Sequence, residues 1–243
     1  MEQGASESLM EIMQTPAFWL ALGQIIWINI ILSGDNAVVI ALAARSLPSV
    51  QQKQAILWGS AGAVILRILL TFIAAYLLQW KYVQLVGGLL LLYIGVQLLM
   101  DESDGDDNGE IKTVSFGSAI RTILVADLVM SLDNVIGVAL AAKIDGVINY
   151  PLLVLGLAIS IPMVVFGSQI MIKLMERFPI IIVLGAALIG WVAGDAISHD
   201  PGLADIFGDN TVLKYGVKIA CAVFVVVVGR VLSQRAHAKT QGT

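Results

Sequence analysis

The stretch Ile31–Ala44, ILSGDNAVVIALAA, sets an acid, Asp35, inside a run otherwise apolar enough to cross a bilayer. A second stretch, Val129–Ala142, VMSLDNVIGVALAA, does the same with Asp133. An Asp at the centre of a membrane helix costs about 2.5–3.5 kcal/mol on insertion scales, so each of these acids needs a partner or a task. Composition fixes the membrane setting. Of the 243 residues, 58% are hydrophobic and only 13% charged, and the mean hydropathy is +0.88, far from that of a soluble domain. The apolar runs are continuous rather than alternating with period two, which selects helices over a barrel.

These runs predict an all-α polytopic membrane protein with about seven spans: Phe18–Ala44, Ala55–Leu78, Val83–Met100, Thr122–Ala142, Pro151–Ile172, Pro179–Ala196 and Val212–Leu232. The whole chain, 1–243, reads as one transmembrane transport domain in the bilayer. The N-terminal MEQGASESLMEIMQTP carries no Lys or Arg, so it lacks the basic region of a cleaved signal peptide and the first span is expected to stay. Arg45, Lys53, Lys112, Arg121, Lys173, Arg177, Arg230, Arg235 and Lys239 fall on one side, against Lys81, Lys143, Lys214 and Lys218 on the other. That bias predicts a plasma (inner) membrane protein with its N-terminus outside and its C-terminus in the cytoplasm. Cys221 is the single cysteine, which excludes an intramolecular disulfide.

The two Asp-Asn dipeptides are offset by 98 residues, and the same offset pairs Ser33 with Ser131, Arg45 with Lys143, Gly87 with Gly185 and Tyr93 with Trp191. The chain therefore reads as two three-helix repeats, about 17–100 and 116–196, joined by a cytoplasmic acidic linker at 101–115 and followed by a last helix at about 212–232. Three is odd, so the second copy enters the membrane from the opposite side, and the repeat is inverted. In such proteins a ligand site lies near the midplane where the copies meet, which is where Asp35 and Asp133 fall.

Asn29, Ser33 and Asn36 lie at helical spacing, and Asp127, Ser131 and Asn134 repeat the pattern, so each helix carries one polar stripe. These groups serve either a ligand or hydrogen bonds between helices. Asp35 and Asp133 stand about 120° off their stripes on an ideal helix, so either the helix is distorted there or the carboxylates face another sector. Gly34 permits a break in the first helix, whereas Leu132 gives no such help in the fourth. Arg67, the one basic residue deep in a span, can neutralise one acid and is expected to be a structural counter-charge. The copies differ where Asn29 pairs with Asp127. This difference predicts a pathway more negative on its cytoplasmic side, suited to capturing cation there.

Carboxylate, amide and hydroxyl oxygens without a Cys or His cluster describe a hard cation, Mg²⁺, Ca²⁺ or Mn²⁺, rather than Zn²⁺ or Cu⁺. Met130 beside the second motif is the only soft atom near it. The metal would be cargo, not a cofactor. Protons are the possible counter-ion, because burial favours the protonated acid and a bound cation the ionised one.

The motifs SGDNAVVIALAARSLP from Ser33, ADLVMSLDNV from Ala126, ERFPIII from Glu176 and WVAGD ending at Asp195 resemble the TerC family of integral membrane proteins, in particular its YjbE-type branch, associated with manganese export. The resemblance covers the spans nearly end to end. It implies a relation to the LysE-type exporter superfamily, efflux of Mn²⁺, and metal or proton sites at Asp35, Asp127, Asp133 and Asp195.

The linker DESDGDDNGEIKTVS places Asp104, Asp106, Asn108 and Gly109 at EF-hand positions 1, 3, 5 and 6, but Ser115 stands where the bidentate Glu belongs, so it reads as a solvated acidic segment. The loop DAISHDPGLADIFGDN fits no metal spacing and reads as a polar loop, and Gly190 with Gly194 reads as a close-packing face. The chain contains no Walker A, nucleophile elbow or H-E-x-x-H motif, so neither ATP drive nor hydrolysis has support and no enzyme is expected. Nothing points to a nucleic-acid partner, and the oligomeric state is not encoded in these motifs. Export of Ca²⁺ or a small amino compound, and a non-transporting scaffold for membrane-protein assembly or metal loading, are the competing readings.

Overall fold

A computed structural model describes residues 14–32, 34–100, 115–144 and 147–240. The acidic segment 101–114 and Ser33 lie outside the described residues, as does the side chain of Asp133. The helices are α1 Pro16–Leu32, α2 Gly34–Ala44, α3 Ser49–Leu77, α4 Val83–Met100, α5 Phe116–Ala141, α6 Tyr150–Arg177, α7 Ile180–His199, the short α8 Ala204–Phe207, and α9 Thr211–Thr240. A two-residue hairpin, β1 Lys143–Ile144 against β2 Val147–Ile148, joins α5 to α6. Asn149 then starts α6, its Oδ1 accepting from the Leu152 N–H at 3.0 Å, with Pro151 in the first turn where its missing N–H costs nothing.

Among the described residues, five helices are each long and apolar enough to cross a membrane. The count rises to seven when two bent units are each taken as one span. The bends fall on the two motifs. Pro16–Asn29 and Gly34–Ala44 meet at 48°, and Phe116–Leu132 and Asn134–Ala141 at 64°. Gly34 accounts for the first, since glycine tolerates a broken helical ladder. The second is sharper than a smooth helix allows, yet residues 132–134 hold neither glycine nor proline.

Shifting the first three spans by 98 residues takes 16–44 to 114–142, 49–77 to 147–175 and 83–100 to 181–198, within three residues of the bounds of α5, α6 and α7. The packing follows the same exchange. Helix α3 packs on α5 while α1 and α2 pack on α6, and α4 and α7 pack on each other, so swapping the two triplets leaves the pairing unchanged. Helix α9 lies outside the repeat, against α7 and α4.

Large apolar side chains such as Leu20, Phe72, Phe166 and Val223 point outward, as lipid demands, and small residues let the helices approach. A Cβ at Gly190 would fall 2.6 Å from the Cys221 carbonyl oxygen, and one at Gly194 2.6 Å from Lys218 Cα. The GxxxG face therefore seats α9 directly on α7.

The polar loop after α7 proves to be built around one buried acid. Asp200, 1% exposed, accepts from the N–H groups of Tyr82 at 2.8 Å and Leu85 at 2.9 Å, capping α4, and from Gly202 at 2.6 Å. A carboxylate at a helix N-terminus satisfies donors that have no partner within the helix and complements the helix dipole.

Two outcomes follow for thermal unfolding in detergent. Asp200→Ala is expected to cost about 2 kcal/mol or more, and Asp200→Asn less, because the amide keeps an acceptor but loses the charge. Gly194→Leu is expected to lower the midpoint sharply by prising α9 from α7, whereas Gly216→Ala, whose Cβ would meet nothing within 4 Å, leaves it unchanged.

Candidate functional site

Asn29, Asn36, Ser60, Arg67, Asp127, Ser131 and Ser160 are buried polar groups on α1, α2, α3, α5 and α6. At the centre Arg67 of α3 reaches across to α5. Its Nη2 donates to Asp127 Oδ1 at 2.5 Å, its Nε donates to Ser131 Oγ at 3.0 Å, and Ser131 Oγ donates to Asp127 Oδ2 at 3.1 Å. The ring is closed and dry, with Arg67 4%, Asp127 5% and Ser131 0% exposed. Ser131 can join because it lies one turn beyond Asp127 on the same face of α5.

A void of about 10 Å³ beside this ring is lined by Asn36, Ser60, Arg67, Asp127 and Ser160, enough for at most one water. Ser60 Oγ is buried and has no hydrogen-bond partner. Across Ser160 and Val164, which line both spaces, lies a larger cavity of about 190 Å³ with Asn29, Gly34, Ala37, Met163 and Gly167 on its walls. Asn29 is 1% exposed, and among the described residues neither its Oδ1 nor its Nδ2 has a partner. Buried amides are seldom left so, because each unmade hydrogen bond carries a desolvation cost. A third cavity, about 380 Å³ between the ends of α4, α7 and α9, has Arg230 as its one charged wall residue and includes none of the motif acids.

Asp35 is half-buried in the first turn of α2, just beyond the bend, with its Oδ1 accepting from the Asn36 N–H at 2.8 Å. Its neighbour Asn36 lines the void beside the Arg67–Asp127 ring. Asn134 is half-buried at the start of the segment after the second bend. The side chain of Asp133 lies outside the described residues.

The structure thus brings Asn29, Asp35, Asn36 and Asp127 into one region, but on different terms from the sequence expectation. Both oxygens of Asp127 are engaged, by Arg67 and Ser131. The extra negative charge expected on the cytoplasmic side is cancelled by Arg67. Asp195 stands on another helix pair, in an ion pair with Lys218 of α9 and 3.4 Å from His199 Nδ1. Lys218 also lies over the rings of Tyr215 at 5.0 Å and Trp191 at 5.7 Å, so Asp195 helps to tie α9 to α7. Among the described residues no three His, Cys, Asp or Glu side chains converge as a metal cluster. The sequence alone does not single out Ser60 and Ser160, each a hydroxyl in an apolar stretch, WGSAGA and LAISIP.

Residues 14–237 match the family described as "Integral membrane protein TerC family". The chain is 40% identical over 211 residues to "Uncharacterized membrane protein YjbE" of Bacillus subtilis (strain 168), covering 86% of this chain and 94% of that one. It is 30% identical over 176 residues to "Uncharacterized membrane protein YkoY" of the same organism, 67% of this chain and 54% of that one. With "UPF0053 inner membrane protein YgdQ" of Escherichia coli (strain K12) it shares 29% over 137 residues, 50% of this chain and 58% of the relative. No solved structure matches. The family match spans the bent motif helices, the buried polar cluster between them and the last span: the chain belongs to the TerC family of integral membrane proteins.

Proposed function

We propose that this protein is a secondary transporter that exports a divalent metal cation, Mn²⁺, from the cytoplasm in exchange for protons. One observation carries the reading. Two spans are bent at their Asp-Asn motifs, and buried polar groups line cavities where the repeats meet. Discontinuous helices at a repeat interface are how inverted-repeat transporters expose backbone and side-chain oxygen to an ion. A channel or a scaffold has no need to hold Asn29 and Ser60 buried without partners. The available atoms are oxygens of Asp, Asn and Ser, which suit a hard cation. The resemblance to the manganese-exporting branch favours Mn²⁺ among the hard cations.

In this reading Asp35 and Asp133 carry the cargo charge. Each accepts a proton when the metal leaves, since an ionised acid without a counter-charge is costly in the membrane interior. The excess of Lys and Arg at the α2–α3, α6–α7 and C-terminal ends puts those ends in the cytoplasm and the N-terminus outside.

Metal flux into proteoliposomes tests this directly. Mn²⁺ uptake by inward-transporting protein is expected to accelerate with an acid lumen and to exceed uptake of Ca²⁺ and Mg²⁺. Asp35→Asn and Asp133→Asn are each expected to cut flux by more than about tenfold while the protein still inserts. Wild-type rates in either variant would remove the paired motif from the mechanism, and absence of flux for all three metals would leave the scaffold reading in place.

A further inference from the structure

We propose that the guanidinium of Arg67 is a tethered stand-in for the transported cation. It occupies an oxygen-lined site at Asp127 when cargo is absent and withdraws to admit it. This rests on the transporter reading above and assigns to the central cluster a cation site of its own, distinct from a structural salt bridge.

Chemistry is the first support. With the guanidinium removed, the groups around its place are the Asp127 carboxylate and the Ser131 hydroxyl, together with Asn36, Ser60 and Ser160 on the walls of the adjoining void. One carboxylate with neutral oxygens is a hard-cation set of low charge, suited to an ion that must be released as well as bound. Ser60 Oγ is 2% exposed by residue, faces this space, and has no partner. A hydroxyl left so inside a membrane span is explained if its partner is an arriving ion or its water.

Space is the second. The void holds about 10 Å³, too little for a cation with any retained water, so cargo can reach Asp127 only by displacing the guanidinium. Arginine suits that part, as a permanent charge on a long, flexible stem.

Symmetry is the third. The 98-residue shift takes Asn29 to Asp127 and Arg67 to Val165. The symmetry-related contact of α1 and α2 with α6 is thus built in the same protein with an amide and a valine. Packing of the two helices does not require the ion pair, and the two charges occur together or not at all.

Mn²⁺ binding to purified protein in nanodiscs, read from the loss of the free-ion signal in electron paramagnetic resonance, tests the assignment alongside thermal melting. Arg67→Gln removes the competitor and is expected to bind Mn²⁺ at least tenfold more tightly than wild type, while Arg67→Lys, which keeps a tethered cation, stays near the wild-type Kd. The double variant R67V/D127N, which installs the pair found at the symmetric position, is expected to fold and to lose the tightening. A folded Arg67→Gln protein with unchanged or weaker affinity overturns the proposal while leaving transport intact as a reading. Wild-type protein that neither binds nor moves Mn²⁺ removes both. Should Arg67→Gln alone not fold, Mn²⁺-induced infrared difference spectra of wild-type protein carrying ¹⁵N-guanidino arginine read the same event. An isotope-shifted guanidinium band that is absent from R67V/D127N is expected, and no such band overturns the proposal.

Discussion

The hydrocarbon core of a bilayer gives an ionised carboxylate no water, and the ion pair of Arg67 with Asp127 is how this fold meets that constraint at its centre. Removing either partner of a buried pair costs about 3–5 kcal/mol because the survivor is left uncompensated. The pair therefore behaves as a unit, and its placement organises what surrounds it. Ser131 closes the hydrogen-bonded ring, and Asn36, Ser60 and Ser160 gather at its side. Outside this strip the helices present apolar side chains outward and small ones inward. The molecule is polar where its two halves meet and apolar where it meets lipid, the arrangement expected when lipid rather than water is the solvent.

The bends give the polar strip its access. The first span is interrupted between Leu32 and Gly34 and bends by 48°, whereas the second bends by 64° within one helix, Phe116–Ala141. Asp35 at the start of α2 also gains from the positive end of that helix. In the proposed function, two such bends approach the interface of the halves from opposite sides, and a site between them is offered to either face of the membrane by small relative movement. Asn29 and its cavity of about 190 Å³ extend the strip toward the first break.

Much of this was legible in the sequence. Long apolar runs locate the five straight spans and the two bent units because hydropathy is a sum over some twenty residues and tolerates local error. The 98-residue offset pairs the two motifs, and Asp35 and Asp133 standing off their polar stripes left open a distorted helix or a carboxylate facing another sector; the bends at both motifs favour the first. Pairing was harder to read. Which acid Arg67 neutralises depends on how α3 crosses α5, and no spacing within either helix encodes it. The same limit hid the pairing of Asp195 with Lys218. It also hid Asp200, a loop acid by sequence that folds back to cap α4 more than a hundred residues earlier. Ser60 and Ser160 were passed over because a single serine in a span usually bonds its own helix; Ser160 does so, to the Leu157 carbonyl at 2.6 Å, yet still faces the void.

In the proposed function cation is held between the two repeats, beside the bent motifs. Anomalous scattering at the manganese edge, from crystals of the full chain grown with Mn²⁺, locates the ion without recourse to activity. The account predicts a peak between α2, α3 and α5, within coordination distance of Asp35 or Asp127 oxygens and with the Arg67 guanidinium displaced. A peak confined to the acidic segment at 101–114 or to the loop around Asp200, with Arg67 still on Asp127, would contradict it.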